Sequence, residues 1–242
     1  MTVGKRILCF IIAALLLCAA IVFSFLYFNG LSGLHANIQH SDGQIKVACV
    51  GDSITYGHGV KNWQNRNYPV MLGKALGDEY CVGNFGVSGC TVQASGDHPY
   101  TETESYSESL AFNADTVILM MGTNDSKQQN WKNADEFKKE YSALIDRYLQ
   151  AENNPKILLC TLSAAFYTDG KTSGPVSFGI RIEQINEANE VIRQTAADRG
   201  LELIDINELT SQHPEWFVND GVHPNADGAA AIADKISEFI LK

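Results

Sequence analysis

The sequence predicts an α/β domain whose parallel sheet is covered by helices on both faces. Three observations predict it. Five short apolar runs follow position 44, several of them nearly continuous, as strands buried on both faces are. Stretches with apolar residues at helical spacing lie between the runs. Blocks rich in Gly, Asp, Ser and Asn follow the runs, at the strand ends where open parallel sheets bind their ligands.

Taken in order, residues 1–6 carry Lys5 and Arg6 and are expected to be cytoplasmic. Ile7–Phe28 is 22 residues long, and only Ser24 is not hydrophobic. As a helix it would span about 33 Å, against a hydrocarbon core of roughly 30 Å. The flanking positive charge orients such a helix N-in, C-out, so residues 7–28 are expected to be a transmembrane signal anchor. The alternative is a cleaved signal peptide, whose apolar region is about 7–15 residues and ends at small residues. Leu26–Tyr27–Phe28 is bulky, although cleavage within Gly30–Gly33 would make the domain a secreted one. Residues 29–43 are polar and rich in Gly, Ser and Asn, and read as a linker to a domain spanning 44–242.

Within that domain, strands are expected at Ile45–Val50, Tyr80–Phe85, Thr116–Met121, Lys156–Leu162 and Leu201–Ile206. Phe137, Tyr141, Leu144 and Tyr148 mark one helix, opened by Asn133 and Glu136 as a capping box. Ile182, Ile185, Ala188 and Ile192 mark a second, stopped at Gly200. Ala229, Ile232, Ala233, Ile236 and Ile240 mark a third, and weaker helices fit Tyr68–Leu76 and Glu104–Phe112. All these stripes read as core packing.

Charge removes several function classes. No acid precedes Asp42, so the chain after Arg6 carries 16 Lys and Arg against 28 Asp and Glu, a net charge of −12. Nucleic acids and anionic lipid surfaces both need a basic patch, which argues against either as a partner of this domain. Four cysteines (Cys49, Cys81, Cys90 and Cys160) are scattered without metal-type spacing and read as buried thiols. If oxidised they would allow three pairings.

The chemistry concentrates in four blocks: Gly51–Asp52–Ser53–Ile54–Thr55, Asn84–Phe85–Gly86–Val87–Ser88–Gly89, Gly122–Thr123–Asn124–Asp125 and Asp220–Gly221–Val222–His223–Pro224. A serine hydroxyl needs a base to take its proton, and an imidazole base needs a third group to fix its tautomer. Ser53, His223 and Asp220 can fill these three roles, with Gly221 permitting Asp220 to fold back onto His223. Asp52 and Asp125 are expected to hydrogen-bond backbone in their own loops. No third ligand is spaced to complete a metal site with Asp220 and His223, and no dinucleotide or phosphate-loop fingerprint occurs, so neither metal nor cofactor is expected.

Together the blocks resemble the SGNH hydrolases, also called the GDSL esterases, from about Ile45 to the end of the chain. The resemblance implies a flavodoxin-like three-layer α/β/α sandwich with a five-stranded sheet ordered 2-1-3-4-5. It implies Ser53 as nucleophile, and an oxyanion hole formed by the Ser53 N–H, the Gly89 N–H and the Asn124 side-chain amide. The loops Cys90–Glu104 and Ser163–Gly179, with Asn124–Trp131, mix polar and aromatic residues, and Tyr100 and Trp131 are candidates to line the cleft. That mixture suits a sugar. The pattern is most similar to bacterial sialate O-acetylesterase-like and acetylxylan-esterase-like enzymes. The implied substrate is a small acyl ester, above all O-acetylated carbohydrate. The alternatives are a lysophospholipase or thioesterase acting on lipid beside the membrane, and a non-catalytic glycan-binding protein of the same fold.

Overall fold

The computed structural model describes residues 41–242. The span expected at 7–28, with Cys9 and Cys18, and most of the 29–43 linker lie outside the described residues. Among the described residues no helix is long and apolar enough to cross a membrane. The linker's last residues form a turn: Gln44 N–H donates to the Ser41 carbonyl, and the Gln44 amide reaches the carbonyls of Asp78 and Tyr80.

The chain then runs β1 (Ile45–Gly51), α1 (Ser53–Tyr56), α2 (Trp63–Arg66), α3 (Tyr68–Leu76) and β2 (Tyr80–Gly86). Next come α4 (Glu104–Ala111), β3 (Thr116–Met120), α5 (Ala134–Leu149) and β4 (Lys156–Cys160). It closes with α6 (Ile182–Arg199), β5 (Glu202–Ile204), α7 (Ile206–Ser211) and α8 (Ala226–Ile240). The five strands are ordered β2-β1-β3-β4-β5, and every pair is parallel. Gly51 stands opposite both Gly86 and Met120, so three strands end in line and their following loops meet at one edge.

Alternation along each strand divides the interior in two. Ala48, Val50, Val117, Leu119, Ile157 and Leu159 face α4, α5 and α6, packing against Phe137, Tyr141, Ile185 and Ile192. Val47, Cys49, Ile118, Met120, Leu158 and Cys160 face α3 and α8, packing against Tyr68, Leu72, Ile232 and Ile236. The sheet is therefore buried on both faces, which is why its strands read as continuous apolar runs.

Several boundaries differ from expectation. The fifth run yields only three strand residues, because Asp205 turns the chain into α7: its carboxylate accepts from the Glu208 N–H, the Thr161 hydroxyl and Arg193. The fourth ends at Cys160 because the Leu162 N–H is taken by the Asn189 side chain. The third ends at Met120, before a turn at Gly122, and α4 stops at Ala111. Asn133 caps α5 by accepting from the Glu136 N–H, while the Glu136 carboxylate contacts Lys139. The four described cysteines are buried, three in strands and Cys90 in the loop after β2. Burial raises the pKa values of Cys49, Cys90 and Cys160 far above the ordinary thiol range, so none is a nucleophile at neutral pH.

Candidate active site

Ser53 is the first residue of α1, directly after β1. Asp52 caps that turn, its carboxylate accepting from the Ile54 N–H at 3.0 Å. Burial pushes the Asp52 carboxyl up, opposed chiefly by that backbone donor. The Ser53 hydroxyl thus sits at the carboxyl edge of the sheet, in one pocket with the loops after β2 and β3.

His223 approaches from the loop before α8. Its Nε2 lies 2.8 Å from Ser53 Oγ, and its Nδ1 lies 2.8 Å from Asp220 Oδ2. The other carboxylate oxygen, Oδ1, accepts from the backbone N–H groups of Val222 and His223 at 2.8 and 2.9 Å. Burial opposes ionisation of Asp220, but the His223 ring and these two amides outweigh it and hold the carboxyl below the usual range. An ionised Asp220 accepts from Nδ1–H, which leaves Nε2 as the acceptor for the Ser53 hydroxyl. Gly221 makes this loop possible. Its φ is +71°, and a Cβ there would collide with the Phe166 carbonyl oxygen.

The predicted oxyanion donors converge on the same place. Gly89 lies at φ +84° after β2, and Asn124 opens a 3₁₀ turn after β3. With Ser53 and His223 they line a pocket of about 120 Å³, together with Ser88, Thr123, Lys127, Ile180 and Val222. One amide hydrogen of Asn124 goes to the Cys90 carbonyl at 3.1 Å. The amide carries a second. Asp125 does not stay in its own loop, as had been expected. It crosses to the neighbouring one and accepts from the N–H groups of Val92 and Gln93, both at 2.9 Å. Its burial pushes the carboxyl up to about 7, against those two donors.

Two further residues stand at the pocket: His58, which carried no sequence signal, and Phe178, one of the aromatic residues of the Ser163–Gly179 loop. His58 packs against His223 with ring centroids 4.3 Å apart, and Phe178 meets His223 edge-on at 5.2 Å. Burial lowers the His58 pKa, and His223 beside it acts in the same direction, against Asp220. His58 also supplies the third metal-type ligand that the sequence spacing did not reveal: its ring, Asp220 and His223 bring ligand atoms within 4.8 Å of one another. Both His223 nitrogens are hydrogen-bonded in this arrangement, so a metal there would displace Ser53 or Asp220. The arrangement fits proton transfer.

The chain matches the family model described as GDSL-like Lipase/Acylhydrolase over residues 49–231, a range containing all five predicted site residues.

The chain belongs to this family.

An acetylxylan esterase of Xylanibacter ruminicola is 37% identical over 213 residues, covering 81% of this chain. The match covers 43% of that relative, so this chain spans less than half its length. A solved acetyl xylan esterase, AlAXEase, superposes with a TM-score of 0.62 at 28% identity, over 81% of this chain and all of the other. Est24, a carbohydrate acetylesterase from Sinorhizobium meliloti, shares the fold with a TM-score of 0.65 at 20% identity, over 82% of this chain and 99% of that one.

Within this GDSL-type site the two expected cleft aromatics have other roles. Tyr100 is fully buried and donates to the Phe85 carbonyl, and Trp131 packs against Phe137. The Asp97 carboxylate accepts from Asn130 and Gln129, and Asn130 donates to the Asn124 carbonyl. Those polar loop residues brace the turn carrying Asn124.

Proposed function

We propose that this chain is a serine esterase that removes small acyl groups, acetate above all, from carbohydrate. The observation carrying the reading is a hydrogen-bonded chain from Asp220 through His223 to Ser53 that opens on a small pocket beside Gly89 and Asn124. At about 120 Å³ the pocket falls below the roughly 300–1,000 Å³ of sites that hold larger ligands, which favours acetyl over a long acyl chain. Similarity to acetylxylan esterases supports carbohydrate as the alcohol. The segment 7–28, with Lys5 and Arg6 before it, supports a single-pass location with the domain outside the membrane.

In this reading Ser53 Oγ attacks the ester carbonyl carbon as its proton passes to His223 Nε2. The oxyanion forms against the Ser53 and Gly89 N–H groups and the Asn124 amide. His223 returns the proton to the sugar oxygen as the C–O bond breaks, leaving acetyl-Ser53. Water then gives a proton to His223 and attacks the acyl carbon, and the proton returns to Ser53 as acetate leaves. Asp220 orients the imidazole and stabilises its charged form throughout.

Aryl esters of increasing acyl length test the reading. Turnover should be greatest for acetyl and fall with chain length, and Ser53→Ala should lower kcat by about 10⁴–10⁶. A rate rising toward long chains would replace the carbohydrate substrate with lipid. Asn124→Ala should lower kcat about 10²-fold with little change in KM, because its amide acts on the developing oxyanion.

A further inference from the structure

We infer that Phe178 is the sugar-binding platform of this site, its open face stacking on the pyranose ring that carries the scissile ester. The inference rests on the carbohydrate reading above and names how the ring is held. Three large apolar side chains are exposed among the described residues, and Phe178 is the one at the pocket, 59% exposed; Ile45 and Leu241 lie at the start of β1 and the chain's end. Its backbone is at φ +60°, a left-handed conformation that a bulky residue adopts only when its surroundings impose it. The surroundings do impose it. Phe178 tops a tight turn closed by a 2.8 Å hydrogen bond from the Val176 N–H to the Ile180 carbonyl. Val176 and Ile180 are both buried, and the Arg181 N–H donates to the Ser126 hydroxyl, tying the turn to the one that carries Asn124.

The turn thus presents a solvated aromatic ring, in a strained conformation, beside the reacting imidazole. Burial explains such a residue poorly; a ligand that covers the ring explains it. The ligand's chemistry follows from the neighbours. Ser88, Thr123 and Lys127 set two hydroxyls and an ammonium into a wall that Ile180 and Val222 otherwise make apolar, and the exposed ring stands alone at its edge. A pyranose matches both, with an apolar C–H face for the ring and hydroxyls for the rim.

The test compares the full-length chain with Phe178→Gly and Phe178→Trp on 4-nitrophenyl acetate and on acetylated xylo-oligosaccharide. Phe178→Gly should raise KM for the oligosaccharide about tenfold while kcat holds, the loss expected for one aromatic stacking contact. On the aryl acetate the rise in KM should be several-fold smaller than on the oligosaccharide. Phe178→Trp should keep the low oligosaccharide KM. Phe178→Gly should also fold at least as stably, since glycine accepts the positive φ without strain. Equal loss on both substrates would overturn the inference, since it would make Phe178 a support for His223. An unchanged oligosaccharide KM would overturn it too. A wild-type chain that cleaves only the aryl acetate would instead overturn the carbohydrate reading, and the inference with it.

Discussion

Asp125 shows how much a single side chain beside the site can carry. Its two oxygens hold the Val92 and Gln93 amides, so the loop after β2 is fastened to the loop after β3 through one buried carboxyl. That carboxyl is raised to about 7 by burial, whereas an unfolded chain's Asp titrates near 3.9. Between those values the folded state holds a proton that the unfolded state has lost, so stability must fall as pH rises, by up to about 1.4 kcal/mol per pH unit. Asp52, also raised by burial, adds slope of the same sign. Urea unfolding at pH 5 and pH 8 should show a shallower pH dependence in Asp125→Asn than in the wild type; parallel curves would rule the effect out. The variant should also cost about 1–3 kcal/mol at the lower pH, since an amide satisfies only one of the two donors. Ser53, Gly89, Asn124, Asp220 and His223 were legible in the sequence because their chemistry is written in short blocks at strand ends. His58 was not, and Phe178 was legible only as one aromatic of the Ser163–Gly179 loop. Their roles come from which loops the topology brings together, and a positive φ at a phenylalanine leaves no mark in composition or spacing.

The elements divide in the same way. Helices α5, α6 and α8 each span at least 15 residues and announced themselves by apolar periodicity. Helices α1, α2 and α7 are four to six residues long, too short to complete a stripe, and α2 buries no side chain at all. They are set by caps and tertiary contacts, such as Asp52 on Ile54 and Asp205 on Glu208. Strand β5 was overread for a related reason: Ile204 and Ile206 are both buried, but Asp205 between them starts a helix. Capping also sets the energetics of the long helices. Asn133→Ala removes the acceptor for the Glu136 N–H and should cost about 1 kcal/mol, lowering the melting temperature by about 2–4 °C. Aryl-acetate kcat should stay unchanged, because α5 meets the Asn124 loop through Phe137 on Trp131, a contact that the substitution leaves in place. A kcat loss matching the stability loss would mean the helix positions the site directly.

For the molecule as a whole, the sheet is a partition between two apolar cores, and both depend on β3. Ile118 and Leu119 are adjacent, fully buried and on opposite faces. Either one replaced by alanine should cost about 2–5 kcal/mol in denaturant unfolding. The pair should sum to nearly the two single costs if the partition keeps the cores independent; a large shortfall would show that the cores relax together. The sheet order followed from the family resemblance, whereas the split into two cores emerges only from the register. The bond between Ser53 and His223 has a temporal meaning as well. It joins residues 170 positions apart, and His223 leads directly into α8, which seats on α3 across the second core. A chain emerging in order makes its nucleophile early and its base almost last. The hydroxyl therefore stays unreactive throughout synthesis, and recovery of hydrolysis on refolding marks the docking of the final helix: it should coincide with the slowest phase of burial and never run ahead of it.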